Sequence, residues 1–289
     1  MGYSARYHAT SLIAIFLALA IGVVIGAALG GDTINNTRKD LEQSLTGNLE
    51  DARSHAEELS AELGQANAFA DQVYPALVRD DLRGHRIGIV AIGGLPGEIS
   101  SAIDDALGPT GGRLVAVGVV REPIDVHSLA ADVAKTRFAN LERDPDQQTE
   151  FATGIGRQLV IGGNLLERVR SHLFSRASGN FQTLDGVIVV RDQPQDMGPV
   201  QRSTAARFES ALISGVTATR TAAVGVEATD AEPSSISFFQ SNDLASVDDV
   251  DQSAGKLAAV LALLGAEGSF GVKGSADQLL PDLLAPHRK

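Results

Sequence analysis

The sequence predicts a three-part protein: a transmembrane helix, a long coiled-coil helix, and a Rossmann-like, doubly wound α/β domain with a mainly parallel sheet. Three observations carry this prediction. An uncharged apolar run lies between Arg6 and Asp32. Apolar residues then recur on a 3.5-residue repeat from Leu45 to Val73. After Gly84, short continuously apolar runs alternate with helical stretches. The predicted division is a short tail over 1–9, the membrane helix over 10–31, the coiled-coil helix over 32–82, the α/β domain over 83–275 and a C-terminal tail over 276–289.

Ser11 to Leu29 is almost wholly apolar and, at about 1.5 Å per residue, covers a bilayer core of about 30 Å. A cleaved signal peptide is the rival reading, but its apolar region is shorter, about 7–15 residues. Basic residues flank both ends (Arg6 on one side, Arg38 and Lys39 on the other), so charge alone leaves the orientation open. Ala14, Ala18, Gly22, Gly26 and Gly30 recur every four residues, the pattern of a face on which two membrane helices approach closely. Small residues are also common in membrane helices that pack against nothing.

Beyond Asp32 the composition turns to Glu, Gln, Ala, Leu, Asp and Arg. Leu45, Leu49, Ala52, Ala56, Leu59, Leu63, Ala66, Ala70 and Val73 step alternately by four and three, as the seam of a coiled coil does. Glu50, Arg53, Glu57, Glu58 and Glu62 flank that seam. A parallel homodimer held by the glycine stripe and this seam in series is expected. A lone amphipathic helix packed on the following domain is the alternative. Pro75 should kink or end the helix near Tyr74. A continuous helix from Thr33 to Tyr74 would measure roughly 60 Å.

In the distal region, Arg86–Ile92, Arg113–Val120, Gly186–Val190 and Ala222–Val226 read as strands buried on both faces. Glu98–Leu107, Ser128–Asn140, Glu150–Leu159, Pro199–Ser214 and Gln252–Leu264 read as helices. Arg143–Thr149 reads as a loop or helix start, and Thr229–Asn242 has no clear pattern.

Composition narrows the chemistry. The 289 residues include no Cys, which removes disulfides, zinc ribbons and thiol catalysis. A net charge of −12, from 24 basic and 36 acidic residues, argues against nucleic-acid binding. No G-x-S-x-G, H-E-x-x-H or P-loop occurs, so no enzymatic activity is expected. Gly93-Gly94-Leu95-Pro96-Gly97 stands where dinucleotide enzymes place their glycine loop, and Glu122 stands near the ribose-binding position. The spacing differs, however, and Pro96 removes a backbone donor, so a tight turn is the preferred reading. Ser246-Val247-Asp248-Asp249-Val250-Asp251 invites a calcium reading. Counted from Asp249, Gly255 comes one position late and the twelfth residue is Val260, so Asp251 is expected to cap a helix and Asp248 and Asp249 to make turns or a polar contact.

Several blocks resemble the actinobacterial copper transporter (MctB/SteB-like) family. They are the anchor from Tyr7 to Gly26, the join Ala66–Phe69, Pro75–Val78 and Leu82–Gly84, and the aspartate block Asp248, Asp249, Asp251 with Gly255 and Ala258–Leu263. The resemblance implies a single-pass cell-membrane protein with a short cytoplasmic tail and an extracytoplasmic C-terminal domain. It also implies a role in copper transport, efflux and resistance, with copper the only metal suggested. For some members it implies regulation of a peptidoglycan hydrolase in cell division, through a cytoplasmic division partner. The residues themselves do not favour copper conduction. Soft Cu(I) prefers thiolates and thioethers, yet there is no Cys, only Met1 and Met197, and the six histidines are scattered.

Overall fold

The computed structural model describes residues 5–282, with side chains for 10–28 and 41–282. The chain divides into two compact units, one ending at Ala66 and one beginning at Asn67. Helix α1 (Ala5–Leu77) is 73 residues long. Pro75 lies in its last turn, and the helix runs two residues past it instead of stopping near Tyr74. A proline that close to the end forfeits one backbone bond that the last turn barely needs.

In the first unit, Thr10–Ala28 is apolar enough to cross a membrane, with mean hydropathy 2.7 and no part of it buried. Because a span needs about 20 such residues, this stretch is one bilayer-length segment.

In the second unit the described residues form a seven-stranded sheet. Its strands are β1 (Arg86–Gly93), β2 (Arg113–Val120), β3 (Phe174–Gly179), β4 (Gly186–Asp192), β5 (Ala222–Val226), β6 (Ala245–Val247) and β7 (Ser269–Phe270). The order is β3-β2-β1-β4-β5-β6-β7, with every pair parallel except the edge pair β2–β3. The helices are α2 (Gly97–Leu107), α3 (Val126–Val133), α4 (Pro145–Ile161), α5 (Asn164–Leu173), α6 (Pro199–Thr217), α7 (Ile236–Ser241) and α8 (Ser253–Leu263).

Strand periodicity splits the core into two layers. Ile87, Ile89 and Ala91 of β1 join Val224 and Val226 beneath α2 and α8. Val90 and Ile92 instead join Val187 and Val189 beneath α3, α4, α5 and α6. Strands covered on both faces need apolar residues at every position, which explains the unbroken runs. The closest helix contact is α4 on α6, where a Cβ on Gly156 would fall 1.9 Å from the Leu212 carbonyl oxygen and one on Gly215 would fall 2.1 Å from that of Thr153.

The last turns of α1 belong to this second unit. Tyr74 donates its hydroxyl to the Ala106 carbonyl of α2 at 2.6 Å, and Ser253 of α8 donates to Asp71. Val78 and Leu82 are fully buried in the core beneath α2 and α8.

Of the two readings of Arg143–Thr149, loop or helix start, the helix start holds, while other local expectations are corrected. Arg143–Thr149 contains the start of α4: the Asp144 carboxylate accepts from the Asp146 and Gln147 amides, and Pro145 takes the first helical position. The expected helix Ser128–Asn140 stops at Val133 and gives way to turns. Helices α5 and α7 and strands β3, β6 and β7 add to the expected set. The β3 sequence, FSRASG, is mostly exposed and lacks the apolar run that marked its neighbours.

Candidate functional site

The carboxyl ends of β1, β2, β4, β5 and β6 lie along one edge of the sheet. The residues that follow them are strongly acidic: Glu122 after β2, Asp192 closing β4, Glu227 after β5, and Asp248 and Asp249 after β6. The chain leaves β1 toward β2 but leaves β4 toward β5. Connections therefore diverge between β1 and β4, the place where open parallel sheets form their crevice. A cavity of about 190 Å³ sits there, lined by Pro96, Ile99, Arg191, Gln193, Glu227 and Ser235 among others.

Two buried carboxylates organise its walls. Glu209 of α6, with no exposed surface, accepts from Arg191 Nε at 2.9 Å and from the Gln193 amide. The Arg191 guanidinium also stacks 4.4 Å over the Phe238 ring. Glu227 accepts from Ser234 Oγ at 2.7 Å, the Ser235 amide at 2.5 Å and Lys273 Nζ at 2.6 Å. Lys273 also donates to the carbonyls of Ala228 and Ala231, pinning the loop after β5. Buried charges need such pairing, and both of these have it.

Glu122 does not. Both of its carboxyl oxygens are enclosed without a hydrogen-bond partner. Burial pushes this carboxyl up to about 7, the Glu209 charge adds to the push, and Arg191 opposes it. Glu122 is thus an enclosed acid and not one held out toward a ribose. Gly93 closes β1 and Gly97 opens α2, with Gly94, Leu95 and Pro96 as the short irregular link between them. Gly93 has φ +84°, and a Cβ there would lie 2.1 Å from the Asp192 carbonyl oxygen. Glu98, Asp192, Asp230 and Glu232 also line the crevice, where they oppose a pyrophosphate.

The aspartate block divides its labour. Asp248, fully buried, accepts from the Val272 and Lys273 amides at 2.8 and 3.0 Å. Asp251 accepts from the Thr229 amide and hydroxyl at 2.7 and 2.9 Å. It does not cap α8, whose N-cap is Gln252, because its oxygens are taken up by Thr229 and the Gln252 side chain. Asp249 is enclosed without a partner and is pushed up to about 6 by burial, then by the Asp248 and Asp251 charges. Gly255 lets α8 start against this turn, since a Cβ would sit 2.0 Å from the Asp249 carbonyl oxygen. Among the described residues no three His, Asp or Glu side chains converge on a point where an ion could sit. His127 and His172 bond instead to Glu142 and Asp132 at 3.1 and 2.7 Å.

The residues singled out on α1 lie apart from this edge in the chain. Ala14, Ala18, Gly22 and Gly26 are exposed, whereas Gly30 lies outside the described side chains. Leu45, Leu49, Leu59 and Leu63 are each more than half exposed; Ala52, Ala56 and Ala66 are exposed, and Ala70 and Val73 are half-buried. Sequence reasoning missed Arg191, Glu209, Glu227 and Lys273. The available signals were charges set directly after the apolar runs of β4 and β5, and Glu209 inside the apolar face of α6.

A family model described as copper transport outer membrane protein, MctB, matches residues 3–281. The chain belongs to the MctB family. The curated relatives include the copper transporter MctB of Mycobacterium tuberculosis (strain ATCC 25618 / H37Rv), 25% identical over an alignment 306 positions long that takes in 90% of this chain and 91% of that one. The copper transporter MctB of Mycobacterium leprae (strain TN) is 25% identical over an alignment 319 positions long that takes in 96% of this chain and 98% of that one.

Proposed function

We propose that this MctB-family chain is a single-pass envelope protein that works as a parallel homodimer, with its α/β domain on the outer side of the cell membrane. The observation that carries the reading is the row of exposed leucines on α1, Leu45, Leu49, Leu59 and Leu63, at coiled-coil spacing. Single exposed leucines are ordinary, but a contiguous stripe at heptad spacing calls for a partner. Each leucine that a second helix covers contributes about 1.5–3 kcal/mol. The paired helices, together with Gly22 and Gly26 in lipid, form a scaffold that presents the α/β domains and captures another envelope protein such as a cell-wall hydrolase. The sheet order and its two helical layers support a Rossmann-like ancestry for the domain, without a nucleotide.

The test is the Leu59→Glu, Leu63→Glu double variant in detergent, read by light scattering. Wild type should be dimeric and the variant monomeric. A monomeric wild type, or an unchanged dimer in the variant, refutes the proposal.

Copper handling is the second reading, favoured by the family match. Copper is cargo here and not a resident cofactor. A deletion strain should lose copper tolerance, and complementation by the monomeric variant separates the two readings: restored tolerance means that copper handling does not need the coiled coil.

A further inference from the structure

β3 ends the sheet on one side, whereas beyond β7 at the other end Gln278 bridges to Phe270. Along β2 the Val115 carbonyl accepts from the Asn180 amide, and the Arg121 amide donates to the Leu173 carbonyl. By the two-residue alternation of an antiparallel pair, Val117 and Val119 also face β3 and bond their partners Ser178 and Arg176. Ala177, opposite Gly118, therefore turns its amide and carbonyl away from the sheet, where no group among the described residues bonds to them. Ser175, Arg176, Ser178 and Gly179 are exposed around it. Such an edge is a template for another strand unless something covers or blunts it.

Three guanidiniums border this one. Arg121 donates to the Phe174 carbonyl at 3.2 Å where β3 begins, Arg170 donates to the Gly179 carbonyl at 3.1 Å where it ends, and Arg176 is exposed between them. Glu167 pairs with Arg170 at 3.6 Å. The edge is thus locally basic on a chain of net charge −12. Past Gly179 it opens on a cavity of about 780 Å³, lined by Asn164, Arg170, Asn180 and Gln182 among others. Arginines guard an edge against its own kind: a second β3 laid antiparallel on this one would set three guanidiniums against three. The same charges attract a strand that carries carboxylates.

We propose that the outer edge of β3 takes up an extended acidic segment of a partner protein as one more strand of the sheet. Main-chain bonds to Ala177 hold the segment, and its carboxylates meet Arg121, Arg170 and Arg176. The cavity beyond Gly179 gives room for the residues that run past the strand. The proposal rests on the scaffold reading, in which the α/β domain captures another envelope protein, but the binding itself does not need paired α1 helices.

The test uses the full chain in detergent micelles and fluorescein-labelled decapeptides that alternate threonine with glutamate, glutamine or lysine. Fluorescence anisotropy should show the glutamate peptide binding, the glutamine peptide binding about tenfold more weakly and the lysine peptide not at all. Bound glutamate peptide should raise the protection of residues 174–179 against hydrogen exchange. Arg176→Glu should weaken the glutamate peptide about tenfold. Ala177→Pro removes an amide that faces away from β2, which an edge strand tolerates, and should abolish binding. N-methylating every backbone amide of the glutamate peptide should abolish binding too, and it leaves the protein untouched if the proline variant does not fold. No binding of the glutamate peptide, equal binding of the glutamine peptide, binding that survives N-methylation, or no added protection at 174–179 overturns the proposal. A monomeric wild type that binds the peptide refutes the homodimer alone, and a dimer that does not bind it refutes strand addition alone.

Discussion

Replacing Asp248 with alanine tests whether the aspartate block is a structural clamp. Its carboxylate is fully buried and accepts two backbone amides, from Val272 at 2.8 Å and Lys273 at 3.0 Å. Hydrogen bonds to a charged group contribute about 1.5–3 kcal/mol each, so losing both costs on the order of 3–6 kcal/mol. Removing the charge also relieves Asp249, which it repels. A net loss of about 3 kcal/mol follows for Asp248→Ala. Asp248→Asn keeps one acceptor but turns an amide N–H toward a donor, and should lose about 2 kcal/mol. The chain has no Trp, and its tyrosines are Tyr3, Tyr7 and Tyr74. Tyr74, buried against α2, therefore reports unfolding of the α/β domain by its emission. With a urea slope on the order of 2 kcal/mol per molar, the alanine variant should unfold about 1.5 M earlier. Exchange at residues 271–273 should rise in parallel. Wild-type midpoints in both variants, with no added exchange there, would refute the clamp.

Asp249→Asn should change the pH dependence of stability. The carboxyl rises from 3.8 to about 6 on folding. Well below 3.8 it is protonated in both states; as pH rises from 3.8 to about 6, the unfolded chain ionises more readily and stability drops. The wild type should thus lose about 1–2 kcal/mol over that window, after allowance for solvent screening, and Asp249→Asn should not. Gly156→Val should destabilise the α/β domain by at least about 3 kcal/mol, because the contact it breaks is with backbone of α6, and a urea midpoint checks this. Gly22→Ile with Gly26→Ile leaves the α/β domain intact, since nothing lies within 4 Å of either position, but should weaken self-association of the anchor in detergent.

The strands that could be read in the sequence were those buried on both faces. Arg113–Val120 and Ala222–Val226 needed no change of bounds, because two-sided burial demands an unbroken apolar run. The edge strands β3 and β7 and the short inner strand β6 were not legible. Phe174–Gly179 packs one side only, and Ala245–Val247 and Ser269–Phe270 are too short to carry a pattern. Helix α4 was shortened because Arg143–Thr149 is polar, yet its Asp144-Pro145 start was a readable cap. At the carboxyl edge, the sequence singled out Asp248, Asp249 and Asp251 because they adjoin in the chain. The Glu209–Arg191 and Glu227–Lys273 pairs were invisible, being joined only by the fold across 18 and 46 residues.

The burial of Tyr74, Val78 and Leu82 bears on how the α/β domain can be produced by itself. A soluble fragment begun at residue 83 would leave a trench under α2 and α8 where those three side chains belong. At about 1.5–3 kcal/mol for each, the loss rivals the whole stability of an ordinary domain. Expression boundaries should be drawn ahead of Asp71, so that the closing turns of the long helix travel with the sheet they help to cover.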